Sequence, residues 1–259
     1  MNKLTATGLA LLLAAGSALA QAQIAPAPAF EPSFGQPGKD VIWVPTPQVL
    51  VDKMLDMAKV TPRDFVMDLG SGDGRTVITA AKRGVTALGI EYNPDMVELS
   101  RQNAEKEGVT ARASFVKADL FETDFSRASV ITMFLLPSIN LKLRPKILEL
   151  KPGTRIVSNS FNMDEWKADE TVTLTAAQGC DAGWCTALFW IVPARVEGTH
   201  KVPQGEVRFQ QRFQMLSGTL TAGGKTSKLK GRVRGEDISF TAGGRKYSGR
   251  MNGQTLELR

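Results

Sequence analysis

Cysteine and histidine are nearly missing from this chain, which holds two Cys and one His in 259 residues. A zinc site of the usual four-ligand kind therefore lacks the donors to build it. His200 stands alone and reads as an ordinary packed or surface side chain. Long apolar runs are scarce too: beyond the first twenty residues no segment approaches the ~20 apolar residues that a membrane-spanning helix needs. No aromatic stacking platform accompanies the cations, so nucleic acid ranks low as a partner. What remains is an ordinary globular composition, 42% hydrophobic and 22% charged with a formal net charge of +6, ample for a sizeable core.

The N-terminus reads as a secretory signal peptide. Lys3 supplies a positive start, Leu9 to Ala15 an apolar stretch, and Ala18-Leu19-Ala20 a small-residue cleavage pattern. Cleavage after Ala20 would send the chain to the periplasm or beyond; an uncleaved signal acting as a membrane anchor stays open. Export bears on Cys180 and Cys185, which flank Asp181-Ala182-Gly183-Trp184. In an oxidising compartment they are expected to form a small-loop disulfide. Residues 21–40, rich in Pro and Ala without a period, read as an extended lead-in with little order.

From residue 41 to 192, short apolar runs alternate with helical patterns, the mark of β-α units around a mostly parallel sheet. Strands are expected at Phe65 to Leu69, Ala87 to Glu91, Ser114 to Lys117, Ser129 to Phe134 and Arg155 to Ser158. Helix starts are expected at Thr46-Pro47, Asn93-Pro94 and Ser138, each offering a capping side chain. In the first of these helices Val51, Met54, Leu55 and Ala58 share one face. "TVTLT" (Thr171 to Thr175) and "WCTALFWIV" (Trp184 to Val192) follow with no helix between them, so they should pair as an antiparallel hairpin with the two cysteines at its turn.

Residues 193–259 differ in kind. Turn signals at Gly223-Gly224 and Gly243-Gly244 punctuate short alternating segments, which predicts a small antiparallel β domain. In "EVRFQQRF", Val207, Phe209 and Phe213 share one parity and should face a core, with Arg208 and Arg212 outward. Residues 194–259 hold thirteen Lys/Arg against five Asp/Glu, whereas residues 21–193 hold eighteen against twenty-one. Lys228, Lys230, Arg232 and Arg234 should project together from one strand face, either as a plain solvated surface or as a site for an anionic envelope surface.

"DLGSGDGR", Asp68 to Arg75, carries the chemistry. It lies where a strand hands over to a helix, so its amides and the helix N-terminus face a ligand. Its glycines, Gly70, Gly72 and Gly74, are spaced one residue tighter than the dinucleotide pattern G-x-G-x-x-G. Asp68 at the strand end is adverse to a pyrophosphate and favourable to a cationic amino-acid group, which points to S-adenosylmethionine. Glu91, at the end of the second strand, is placed to accept from both ribose hydroxyls. Asp119, at the end of the third, is placed to accept from the adenine amino group.

The stretches "VMDLGSGDGR", "GIEYN", "KADLF" and "LKPGTRIVSNSF", in this order and followed by a hairpin, resemble the class I S-adenosylmethionine-dependent methyltransferases. "WVPTPQVLVDKML" and "ITMFLLPSINLKLRPKIL" narrow the likeness to the small mitochondrial protein-lysine methyltransferases that act on ATP synthase and on the adenine nucleotide carrier, with their bacterial relatives. The resemblance covers about Trp43 to Phe161. It implies a Rossmann-like α/β fold whose seven-stranded sheet has its last strand antiparallel, followed here by the small antiparallel β domain. It also implies a cofactor site of Thr46, Asp68, Gly70, Ser71, Gly72, Gly74, Glu91 and Asp119, with Phe134 to Pro137 beside the transferring methyl and no metal.

A protein lysine is the implied acceptor. "FLLP" lacks the polar-Pro-Pro-aromatic signature of methyltransferases acting on DNA bases or glutamine. No catalytic base is named; Glu122, Asp124 and Asn140 near the expected mouth read as ordinary loop polarity. Because the methyl donor is made in the cytosol while the signal exports the chain, a second class stays open. That alternative is an exported cell-envelope binding protein that works through its basic β domain and binds ligand without catalysis.

Overall fold

The computed structural model describes residues 30–259, of which Pro32–Arg259 form one compact body. The expected signal peptide and its cleavage point lie outside the described residues. Among the described residues no helix is long and apolar enough to cross a membrane.

The first sheet holds β1 (Phe65–Leu69), β2 (Thr86–Glu91), β3 (Ala113–Lys117), β4 (Val130–Met133), β5 (Arg155–Asn159), β6 (Glu170–Thr173) and β7 (Thr186–Ile191) in the order β3-β2-β1-β4-β5-β7-β6. The first five are parallel, and β7 runs antiparallel to both β5 and β6. The four residues of β4 are all buried, as a central strand covered on both faces requires. One face packs on α1 (Gln48–Met57), α2 (Arg75–Lys82) and α3 (Pro94–Lys106), and the other on α4 (Pro137–Leu148). Val51, Met54, Leu55 and Ala58 are all buried, as their spacing predicts. Strand order reverses between β1 and β4, which opens a crevice at the carboxyl ends of the strands.

Two of the three expected helix caps are not used. Asn93 does cap α3, its side chain accepting from the Asp95 amide at 2.9 Å. Thr46 instead precedes the N-cap Pro47, and its buried hydroxyl turns to Asn159. Ser138 lies inside α4, whose first turn begins at Pro137 after an N-cap Leu136 that has no side-chain bond to offer. The described part of the lead-in, residues 30–40, also departs from expectation, while residues 21–29 lie outside the described residues. Gly35 donates to the Trp43 carbonyl and Trp43 back to Gln36, both at 2.9 Å, so these residues fold into a small hairpin rather than running extended.

The second sheet holds β8 (Gly198–Val202), β9 (Gly205–Arg212), β10 (Met215–Ala222), β11 (Lys225–Arg234), β12 (Asp237–Ala242), β13 (Arg245–Asn252) and β14 (Thr255–Leu258), each paired antiparallel with its sequence neighbours. Val207, Phe209, Leu229, Val233 and Phe240 are among its core. Phe213 is not. It sits past the end of β9 with φ +53° and stacks on Trp166 of the first region, centroids 6.2 Å apart. Parity failed here because the strand ends one residue before Phe213. Arg232 also leaves the expected basic face: it pairs with Asp169, whose side chain is only 6% exposed. Lys228, Lys230 and Arg234 remain exposed.

Candidate active site

The crevice at the β1/β4 switch is a cavity of about 250 Å³. Thr46, Asp68, Gly70, Ser71, Gly72, Glu91, Asp119 and Phe134 all line it. Gly74 does not. A Cβ on Gly74 would meet the Phe115 ring at 2.8 Å, under α3, so this glycine with φ +83° closes the turn into α2 and faces the core. A Cβ on Gly72, by contrast, would strike the Trp43 indole nitrogen at 2.8 Å, so backbone alone separates the loop from that ring.

Asp68 is 6% exposed and accepts from the Thr132 hydroxyl at 2.6 Å across the β1/β4 pair. Burial pushes its carboxyl up to about 7, with Asp73 and Glu91 adding repulsion and the Thr132 and Thr76 hydroxyls opposing. No cation of the described residues pairs with it. A buried carboxyl held this way is suited to a cationic ligand, whose charge would offset the desolvation that raises it. The Ser71 hydroxyl, also buried, has no partner among the described residues.

The other two acids are already engaged. Glu91 Oε2 accepts from the Gly72 amide at 3.0 Å, and Oε1 accepts from the Tyr92 and Asn93 amides at 2.9 Å each. Three amides fix the carboxylate's direction and leave lone-pair capacity on Oε2. Asp119 stands two residues beyond the end of β3 rather than at it. Lys39, from the folded lead-in, pairs with its Oδ2, while Oδ1 accepts from the Phe121 amide at 2.8 Å. The Lys39 bond chiefly holds the Asp119 carboxyl below its ordinary value.

Of the polar residues near the expected mouth, Glu122 and Asp124 are exposed and do not line the cavity. Asn140 is fully buried and donates to the carbonyls of Phe161 and Asn162 at 3.1 and 3.3 Å. The lining residues that sequence reasoning missed include Lys39, Trp43, Tyr92, Phe161 and Trp184. Trp43, Tyr92 and Phe161 lie in the stretches that carry the resemblance, and Trp184 lies between the two cysteines, which are bonded as expected; Lys39 carried no signal.

The family with an ANTKMT methyltransferase domain matches residues 68–170. A protein-lysine N-methyltransferase of Saccharolobus islandicus (strain REY15A) is 50% identical over 135 residues, 51% of this chain and 84% of that protein. The chain belongs to this methyltransferase family. The adenine nucleotide translocase lysine N-methyltransferase of Mus musculus is 34% identical over 136 residues, 52% of this chain; the chain spans only 57% of that protein's length. An RNA methyltransferase from Salinibacter ruber, solved with S-adenosyl-L-homocysteine, is 46% identical with a TM-score of 0.54, covering 59% of this chain and 96% of that one.

The protein is an S-adenosylmethionine-dependent methyltransferase of Rossmann-like fold. Its cavity fits the cofactor: a buried carboxyl without a cation for the amino-acid ammonium, a glycine loop in which Gly70 and Gly72 line the wall, and acceptor capacity at Glu91. When bound, the cofactor supplies a sulfonium-activated methyl group. The chain's own task is to orient, exclude water and hold the acceptor in line.

Proposed function

We propose that the enzyme N-methylates a lysine side chain of a protein, with Thr46, Asp68, Gly70, Ser71, Gly72, Glu91 and Asp119 holding the donor and Phe134 beside the acceptor. The observation that carries this reading is the 50% identity to a named protein-lysine N-methyltransferase across most of that protein's length. Phe134, Leu135, Leu136 and Phe161 supply apolar lining where the acceptor is proposed to enter. Such surroundings favour the neutral form of an amine, which is the nucleophile. The Salinibacter protein, described as an RNA methyltransferase, makes RNA the competing acceptor. A ligand-binding role without catalysis is not favoured, since the similar proteins are named as methyltransferases.

The proposed location is outside the cytoplasm, by the signal at residues 1–20, and its support is the Cys180–Cys185 disulfide, a bond typical of oxidising compartments. Lys228, Lys230 and Arg234 offer the exported protein an exposed basic face for an anionic envelope surface. Radiolabelled methyl transfer by the purified protein into envelope protein, cytosolic protein and RNA from cells lacking it tests the whole reading. Label in acid-stable lysine derivatives, absent with Asp68→Ala, is the expected result; label in RNA alone overturns it.

A further inference from the structure

Three aromatic rings meet in the cavity wall. Phe134 follows β4, Phe161 follows β5 and Trp184 precedes β7, and all three line the cavity. Ring centroids lie 5.9 Å apart for Phe134 and Phe161, 6.0 Å for Phe134 and Trp184, and 5.5 Å for Phe161 and Trp184. A group resting against this triangle comes within the ~6 Å over which a ring attracts a cation.

Each ring has its own means of support. Phe134 continues directly from a fully buried strand. The Phe161 carbonyl accepts from the buried Asn140 side chain at 3.1 Å and from the Ser158 hydroxyl at 2.7 Å. Trp184 is 37% exposed, so burial in a core does not hold it. It sits in the loop closed by Cys180 and Cys185, which are themselves 3% and 7% exposed, and its loop neighbours Asp181, Ala182 and Gly183 are all exposed. The covalent link therefore anchors one indole over the cavity in a loop with little other packing. The matched family domain ends at residue 170, before this loop begins.

We propose that Phe134, Phe161 and Trp184 form the acceptor subsite, a three-ring wall that recognises an alkylammonium, and that the Cys180–Cys185 bond positions Trp184 within it. The inference rests on the lysine reading above and deepens it. The ring faces attract an alkylammonium, protonated lysine and its methylated products alike, while the apolar wall removes the water that would otherwise favour the charged amine before transfer. Lysine and its methylated forms meet both conditions.

The test uses the full chain saturated with S-adenosyl-L-homocysteine and two probes titrated by calorimetry, Nε-trimethyllysine amide and its uncharged carbon isostere. The charged probe is expected to bind at least fivefold tighter than the isostere, and Trp184→Ala to weaken it about tenfold. Trp184→Phe should keep most of the affinity. The double variant Cys180→Ser, Cys185→Ser should fall toward the Trp184→Ala value, and S-adenosyl-L-homocysteine affinity should stay within twofold throughout. Equal binding of the two probes, or an unaffected Trp184→Ala, in an enzyme that still methylates lysine overturns the subsite and leaves the lysine reading standing. Wild-type affinity in the double cysteine variant overturns the positioning role of the disulfide. A protein that binds S-adenosyl-L-homocysteine but neither probe, and methylates no lysine, removes the acceptor reading and this inference together.

Discussion

The two seven-stranded sheets have equal strand number and opposite consequences. In the first, parallel strands joined by helices, except for the loop from β3 to β4, send every β-to-α turn to one edge, and the order reversal at β1/β4 splits those turns apart. A crevice follows from connectivity alone, and Asp68, Glu91, Asp119, Phe134 and Phe161 reach it because each lies at or just past the carboxyl end of a successive strand. In the second sheet each strand returns beside its predecessor, so turns fall at both edges and side chains alternate between core and solvent, as in the exposed-buried repeat of β12. That topology gives a small core and a charged surface. Chemistry gathers where strand ends converge, and the second sheet has no such convergence.

The largest effect expected from this contrast is at Asp68. Asp68→Ala removes the one buried carboxyl that, among the described residues, lines the cavity, and S-adenosyl-L-homocysteine affinity should fall at least a hundredfold by calorimetry, on the order of 3 kcal/mol, while the second sheet's β signature in circular dichroism stays unchanged. A loss of under fivefold would show that the crevice does not owe its selectivity to that charge. The same residue sets a pH dependence. Folded Asp68 keeps its proton up to about 7, against an ordinary carboxyl value of 3.8. Between those values the folded state binds more protons, so the stability this group gives the ligand-free protein is complete at low pH and is lost as pH rises through 7. A bound ammonium favours the ionised form instead. Ligand affinity should therefore climb by up to tenfold per pH unit on approach to 7 and level off above it, whereas Asp68→Asn should be flat.

A smaller effect tests whether the two regions are energetically separate. Phe213 leaves β9 to stack on Trp166 with Arg144 over its ring at 5.4 Å, and Gln214, buried beside it, donates to the Lys167 carbonyl at 2.7 Å. Phe213→Ala should cost about 2 kcal/mol in urea unfolding, less than a fully buried Phe because the ring is half-buried. Donor affinity should not change. A tenfold loss of S-adenosyl-L-homocysteine binding would mean that the second sheet shapes the crevice after all.

Much of this architecture was legible from local pattern. The apolar runs of β1 to β5 and the strand-end acids follow from periodicity and turn chemistry, the hairpin from two adjacent strand patterns, and its disulfide from the two closely spaced cysteines. The features that were not legible depend on long-range approach. Nothing local marks Lys39 as the partner of Asp119, 80 residues away, or Arg232 as the partner of Asp169, 63 residues away. Gly74 shares its loop with the ligand-facing glycines, and only the packing of Phe115 shows that it faces inward. Phe213 obeys strand parity in sequence, but a strand end one residue earlier hands it to another core.

The smallest expected effect concerns that lead-in contact. Lys39 and Asp119 pair at the cavity rim, where Lys39 also lies 4.7 Å from the Tyr92 ring centroid. If Asp119 accepts from the ligand's adenine amino group, Lys39 competes for the same carboxylate. Lys39→Ala should then tighten S-adenosyl-L-homocysteine binding by up to about threefold, a modest gain because exposed pairs contribute little. In an Asp119→Ala background the same substitution should do nothing, and that non-additivity is the signature of competition at one carboxylate. Weaker binding on Lys39→Ala would instead make the lysine part of the donor site, and the folded lead-in a wall of the crevice rather than a rival for it.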